Sequence, residues 1–125
     1  MNMFLLFSHK LTQQQTKDAI ESLKVTNFIY LPDNLQKLWS NVPSDVVNLD
    51  EYIKVFKEFL LISAKKGDYV LIQGDFGVTC KMVSWCKEKG LKPVYSTTKR
   101  ESIESLKDGK VVKTSKFEHV LFRSF

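Results

Sequence analysis

Short apolar segments alternate with longer segments of helical periodicity along this chain of 125 residues. Short continuous apolar runs are typical of strands that are covered on both faces of a sheet. The predicted strands are Met3–Phe7, Phe28–Leu31, Tyr69–Gln73 and Val94–Ser96. Strands that alternate with helices predict an α/β fold with a mostly parallel sheet and right-handed crossovers.

Three segments have the periodicity of amphipathic helices. The first opens at Thr12, where a glutamine three positions on completes a capping-box pattern. The second is predicted over about 49–65, and the third follows Gly77 and closes at Gly90. Asn34–Trp39 is predicted to add one or two helical turns.

The C-terminal part of the chain has weaker signals. Ser96–Glu101 is predicted to be a loop after the fourth strand, and Ile103–Leu106 a short helical turn. Val111–Thr114 and His119–Phe122 are predicted to pair as a C-terminal antiparallel β-hairpin. A chain of this length supports one hydrophobic core, so residues 1–125 are expected to form a single domain.

The composition excludes several classes of protein. Hydrophobic residues make up 43% of the chain and charged residues 26%, which argues against disorder. The run Met3–Phe7 is far shorter than the roughly 20 residues that cross a bilayer, and the N-terminus does not resemble a signal peptide. We therefore expect a cytoplasmic protein without a membrane partner.

The cysteine and histidine residues argue against a bound metal. Two cysteines, Cys80 and Cys86, are too few for a disulfide framework or a four-ligand zinc site. The two histidines, His9 and His119, have no metal-binding spacing. No metal and no cofactor are expected.

The net charge of +5 is compatible with a polyanionic partner such as a nucleotide or a nucleic acid. The interleaved aromatic and basic pattern of proteins that stack single strands is absent, which makes general RNA binding a weak alternative. No sequence-specific DNA binding is expected.

The strongest local signal is the loop Gln73–Thr79, which leaves a buried strand and enters a helix. In parallel sheets, ligands lie beyond the carboxyl ends of the strands. Glycines are expected to let the backbone approach a ligand closely, and the helix N-terminus offers N–H groups that suit phosphate. A tight turn in which Asp75 caps the helix is an equally open alternative. The candidate ligand-binding residues here are Gln73, Gly74, Asp75, Phe76, Gly77 and Thr79.

A second candidate loop, Ser8-His9-Lys10, follows the first strand. His9 is a candidate acid or base, or a phosphate ligand, and Lys10 is a candidate charge clamp. In the alternative reading His9 and Lys10 are ordinary solvated residues.

A third candidate segment follows the fourth strand. Its hydroxyls at Thr97 and Thr98 and its cations at Lys99 and Arg100 suit phosphate or ribose contacts. The alternative is a solvated turn with a helix cap at Thr98.

Five segments, taken together and in this order, resemble a known family. They are Phe7–Thr12, Leu35–Pro43, Gly67–Gly77, Tyr95–Arg100 and His119–Arg123. As a set they are similar to small stand-alone CRISPR-associated proteins found beside type III systems, which are related to the CARF (CRISPR-associated Rossmann fold) sensors. The resemblance spans nearly the whole chain.

The resemblance implies a Rossmann-like homodimer that binds a cyclic oligoadenylate messenger across its two-fold axis. Several small relatives are ring nucleases, which cut cyclic tetra-adenylate and switch off the antiviral response, whereas others bind the messenger without cutting it. We therefore expect a metal-independent ring nuclease, with a non-catalytic sponge or sensor as the alternative. The expected catalytic residues are His9, Lys99 and Arg100, and Ser8 and Lys10 are expected to contact the ligand.

Overall fold

The structure is a computed structural model that describes residues 1–125. Five strands and four helices form it. In chain order they are β1 (Asn2–Leu6), α1 (Gln13–Leu23), β2 (Asn27–Tyr30), α2 (Asp33–Ser40), α3 (Lys54–Ser63), β3 (Tyr69–Ile72), α4 (Phe76–Glu88), β4 (Lys92–Lys107) and β5 (Lys110–Ser124). The predicted α/β class is confirmed.

The strands form one sheet in the order β2-β1-β3-β4-β5. The first four are parallel neighbours, with Phe4 of β1 between Ile29 of β2 and Val70 of β3. β5 runs antiparallel to β4, so the sheet is mixed. The chain moves outward from β1 to β2 and then returns to β3 on the other side of β1, so the strand order reverses between β1 and β3.

Both faces of β1 are buried, which explains its continuous apolar sequence. Phe4 and Leu6 belong to a large core under α2, α3 and α4, whereas Met3 and Leu5 belong to a smaller core under α1. The two sets alternate along the strand, as side chains of a strand must.

The N-terminus of α1 forms as predicted. Thr12 Oγ1 accepts from the N–H of Gln15 at 3.2 Å, and Gln15 Oε1 accepts from the N–H of Thr12 at 2.9 Å. α3 is shorter than the predicted segment 49–65, because residues 50–53 form turns that Asn48 starts by accepting from the N–H of Asp50.

The C-terminal predictions are wrong in their boundaries. The predicted loop Ser96–Glu101 and the predicted helical turn Ile103–Leu106 both lie within β4. Val111–Thr114 and His119–Phe122 both lie within β5, so their partners are in β4. The hairpin is therefore much longer than expected.

The turn of this hairpin is Asp108-Gly109, with φ of 54° and 73°. Two residues with positive φ make the turn type whose twist suits a hairpin. Residues 98–119, here called the arm, form the distal part of the hairpin, and every side chain from Ser102 to Phe117 is exposed. Because β4 runs parallel to β3, the arm projects beyond the carboxyl ends of the parallel strands.

None of the four helices combines the length and the apolar character needed to span a membrane.

Candidate functional site

The carboxyl ends of β1 and β3 lie side by side where the strand order of the sheet reverses. This is the position at which open α/β sheets have a crevice for ligands. The loops Ser8–Lys10 and Gln73–Asp75 follow these two strands. Two of the three predicted loops are therefore neighbours at this edge.

Three residues of α2 hold both loops in place. Gln36 Nε2 donates to the carbonyl of Phe7 at 2.8 Å, and Ser40 Oγ donates to Ser8 Oγ at 3.1 Å. Trp39 Nε1 donates to the carbonyl of Gln73 at 3.1 Å. α2 thus fixes the backbone of the candidate site from the side of the larger core.

Ser8, His9 and Lys10 line a cleft of about 310 Å³ together with residues of β2 and α2. The His9 ring packs edge-on against Phe7, with 5.4 Å between ring centroids. His9 and Lys10 are exposed and form no ion pair or side-chain hydrogen bond with the rest of the chain. Both are therefore free to bind an anion or to move a proton.

A second and larger groove, of about 530 Å³, lies between the end of β3, one side of α4 and the base of the hairpin. Predicted residues that line it are Gln73, Gly74, Phe76 and Thr79. Aromatic side chains surround the opening: the Phe76 side chain is almost fully exposed. The rings of Tyr95 and Phe125 also pack together there, with centroids 4.9 Å apart.

The two loop glycines make room for the protein's own side chains. A Cβ on Gly74 would lie 2.9 Å from Trp39 Nε1, and a Cβ on Gly77 would lie 2.8 Å from Leu49 Cδ1. Neither glycine has a positive φ. Trp39 and Leu49 therefore occupy the space that the missing side chains leave, and a close approach of this backbone to a ligand stays a prediction.

Asp75 caps α4. Its Oδ2 accepts from the N–H of Val78 at 3.1 Å, so this carboxylate occupies part of the helix N-terminus. A phosphate at the same N–H group would have to displace it. Burial raises the pKa of Tyr52, and the negative charge of Asp75 raises it further. The Tyr52 hydroxyl donates to the carbonyl of Leu38.

The third predicted segment is not a loop. Thr97 Oγ1 donates to the carbonyl of Leu121 at 3.1 Å and accepts from its N–H at 3.2 Å, at a bulge in the β4–β5 ladder. Thr98, Lys99 and Arg100 are exposed at the start of the arm.

Lys99 and Arg100 project from opposite faces of the arm, because successive side chains of a strand alternate. Lys99 lies 3.6 Å from Glu101, whereas Arg100 donates to Ser115 at 3.1 Å and lies over the ring of Phe117. No hydrogen bond or ion pair joins either cation to His9. The expectation that Lys99, Arg100 and His9 act on the same atoms finds no support in the contacts within one chain.

A buried polar network at the base of the arm was missed by the sequence analysis. His119 Nδ1 lies 2.6 Å from Ser96 Oγ, and His119 Nε2 lies 2.8 Å from Asp18 Oδ2. The His119 side chain is only 3% exposed. The residues lie far apart in the chain, so their spacing carries no signal.

Gln15 and Gln73 extend this network. Gln15 Nε2 donates to Ser96 Oγ at 3.4 Å, and the N–H of Ser96 donates to Gln73 Oε1 at 2.9 Å. The network thus connects α1, the base of the hairpin and the larger groove. Ser96 is buried and lines none of the cavities. The set Asp18, His119 and Ser96 therefore anchors the arm to the body of the protein.

Neither the buried thiol of Cys86 nor a cluster of metal-binding side chains forms a further candidate site. Burial raises the pKa of the Cys86 thiol to about 12, so Cys86 acts as a core residue near neutral pH. No three His, Cys, Asp or Glu side chains are grouped closely enough to hold a metal ion.

Comparison with known proteins places the chain in a family. A model of the family described as "Uncharacterized protein MJ1673 family" matches residues 1–123. A protein of Methanocaldococcus jannaschii, described as "Uncharacterized protein MJ1673", is 58% identical over 123 residues, which cover 98% of this chain and 95% of that protein. No solved structure matches. The chain therefore belongs to the MJ1673 family.

Proposed function

We propose that this protein binds cyclic tetra-adenylate, in the cytoplasm, at the carboxyl ends of its parallel strands and cleaves it without a metal, as a ring nuclease of type III CRISPR signalling. One observation carries the proposal: His9 and Lys10 stand free and exposed where the strand order reverses between β1 and β3. An imidazole and an ammonium without partners in the chain can accept a proton and hold a phosphate.

The sheet and its helices support the finer fold assignment, a Rossmann-like domain related to CARF domains. A cyclic ligand with repeated phosphates suits a C2 homodimer, in which each copy repeats the same contacts. The dimer supplies His9 and Lys10 twice. The carboxyl ends of the parallel strands of both copies then surround one cyclic tetra-adenylate.

Cleavage follows the chemistry of metal-independent ribonucleases. A ribose 2′-oxygen loses its proton to His9 and attacks the adjacent phosphorus, the bond from phosphorus to the 5′-oxygen breaks, and that oxygen takes up a proton. The product is a linear oligoadenylate with a 2′,3′-cyclic phosphate. The protein contributes the in-line geometry and the positive charge of Lys10 near the phosphorane oxygens.

Binding without cleavage is the second candidate function. Lys99 and Arg100 lie on opposite faces of the arm, so one arm presents at most one of them to a given phosphate. A site with fewer cations holds the ring but stabilises its transition state less. A protein that sequesters or senses the messenger would bind the ring in this way without cutting it.

A single-turnover incubation of the protein with cyclic tetra-adenylate, with and without EDTA, tests the proposal. Conversion of the ring to linear products in both samples is expected. We expect His9→Ala to slow the chemical step by about 100-fold or more and Lys10→Ala to weaken binding. Lys87→Ala is the matched control, because Lys87 is an exposed lysine in the last turn of α4, at the opposite end of the sheet.

An intact ring that co-elutes with the protein would reject the nuclease and support the binding protein. A ring that is neither bound nor cut would reject both. Wild-type cleavage by the His9→Ala variant would remove His9 from the mechanism.

A further inference from the structure

We infer that the larger groove, beside α4, is a pocket for an adenine base and that the Gln73 side chain reads it. The inference rests on the proposed function for the identity of the natural ligand, since an oligoadenylate carries adenine. The recognition itself follows from the geometry of the groove and applies to any adenine nucleotide.

The size and lining of the groove fit a flat aromatic ligand. A groove of about 530 Å³ lies within the range of small-molecule sites and accepts a nucleoside. Phe76 is 95% exposed at the first position of α4, although a large apolar side chain gains by burial. An adenine base that stacks on this ring would cover it.

The orientation of the Gln73 amide is determined by its surroundings. Its Oε1 accepts from the backbone N–H of Ser96 at 2.9 Å, so the amide cannot be turned around without leaving that N–H unpaired. Nε2 makes no hydrogen bond within the chain. The donor is therefore available at the lining of the groove, to which Gln73 belongs.

This amide distinguishes adenine from guanine. A carboxamide binds adenine with two hydrogen bonds, in which Nε2 donates to N7 and the oxygen accepts from the N6 amino group. Gln73 Oε1 has a second lone pair for this purpose, because Ser96 uses only one. Guanine presents an oxygen instead of the amino group and would bring two acceptors together.

A third polar group lies at the wall of the groove. Thr79 Oγ1 is buried and has no hydrogen-bond partner, although Thr79 itself lines the groove. A buried unpaired hydroxyl costs free energy. Rotation about the Cα–Cβ bond exchanges the methyl group and the hydroxyl, which would let a bound nucleoside satisfy Oγ1.

Titration of the full chain with adenosine 5′-monophosphate and, separately, guanosine 5′-monophosphate tests the inference by calorimetry and by NMR shifts of Tyr95 and Phe125. We expect the adenine nucleotide to bind at least tenfold more tightly. Gln73→Glu keeps an acceptor for Ser96 but replaces the donor with a negatively charged carboxylate oxygen, which repels N7 of the base, so it is expected to weaken the adenine complex roughly ten- to hundredfold. Phe76→Ala is expected to weaken it about tenfold.

Ile62→Ala is the matched control for Phe76→Ala, because Ile62 is 87% exposed on α3 and away from the groove. The affinity of the Ile62→Ala variant for the adenine nucleotide is expected to equal that of the wild type. Equal affinity for the two nucleotides, no binding at millimolar adenine nucleotide, or no effect of Gln73→Glu in a folded variant would overturn the inference. Phe76 is almost fully exposed, so Phe76→Ala is expected to fold normally. This variant therefore still tests the inference if Gln73→Glu does not fold.

The same titrations with cyclic tetra-adenylate separate this inference from the proposed function. If the ring binds and neither Gln73→Glu nor Phe76→Ala changes its affinity, the adenine pocket is rejected and the proposed function stands. If the mononucleotide binds with the expected dependence on Gln73 and the ring does not bind, the pocket stands and the proposed function fails.

Discussion

His119 Nε2 on β5 lies 2.8 Å from Asp18 Oδ2 on α1, and this contact fastens the base of the arm to the body of the protein. The two residues are 101 positions apart in the chain. Ser96 contacts the other ring nitrogen, so the imidazole has a partner on each side. A fully partnered buried polar group fixes one arrangement of the elements that it joins.

Removal of the imidazole should destabilise the protein. We expect His119→Ala to lower the free energy of unfolding by about 2–4 kcal/mol, because Ser96 and Asp18 each lose one hydrogen-bond partner and a cavity opens. Urea unfolding measures this loss. Asp45→Asn, at an exposed carboxylate without a partner, is the control and should change stability by less than about 0.5 kcal/mol. Similar stability of both variants would show that the network contributes nothing.

The same contact predicts a dependence of stability on pH. Burial raises the pKa of Asp18, but hydrogen bonds from Ser22 and His119 and the charge of His119 outweigh it, so the pKa is lowered from its ordinary value. The folded protein therefore favours the carboxylate. This contribution is present above the unfolded pKa of about 3.9 and is lost as the pH falls through the lowered folded pKa.

Unfolding in urea from pH 7 to pH 2 measures this contribution. The stability difference between the wild type and Asp18→Asn should shrink as the pH falls below about 4. A difference that stays constant down to pH 2 would contradict the assignment.

Gly74 should be intolerant of a side chain. Gly74→Ala places a Cβ against the indole of Trp39, and we expect a loss of about 1–3 kcal/mol from overpacking. In a Trp39→Phe background, Gly74→Ala should lower the stability less, because phenylalanine lacks the five-membered ring of the indole that the new Cβ would contact. A double-mutant cycle by urea unfolding measures this coupling. An equal cost in both backgrounds would contradict the close contact.

Two threonines that the sequence predicted as ligand contacts should respond differently to the same substitution. Thr97→Val removes both hydrogen bonds to Leu121 and should cost about 1–2 kcal/mol. Thr79→Val removes a buried hydroxyl without a partner and should leave stability unchanged or raise it by up to about 1 kcal/mol. Thermal unfolding of both variants compares them, and a large loss for Thr79→Val would reveal a partner for its hydroxyl.

Local sequence determined those parts of the fold whose residues pack against both faces of the sheet. The apolar runs of β1 and β3 and the capping box at Thr12 and Gln15 were sufficient, because each signal lies within a few neighbouring residues. The cap at Asp75 was one of two readings that the loop allowed, and its hydrogen bond to Val78 supports that reading.

The arm was predicted poorly because its side chains are exposed on both faces. Strand prediction relies on apolar alternation, and Ser102–Phe117 buries no face that would impose it. The Asp108-Gly109 pair is a hairpin signal. Pairing the residues on either side of this turn, one by one away from it, would have indicated two long strands.

Sequence alone thus determined the strands β1 and β3, the loops that follow these two strands and the capping box of α1, because these depend on local patterns. Tertiary structure alone decided which of those residues meet. It placed Trp39 against Gly74, sent Lys99 and Arg100 to opposite faces of the arm, and joined Asp18, Ser96 and His119 in one network. The physical reason is that contacts between distant positions depend on crossover and ladder geometry, which no local pattern encodes.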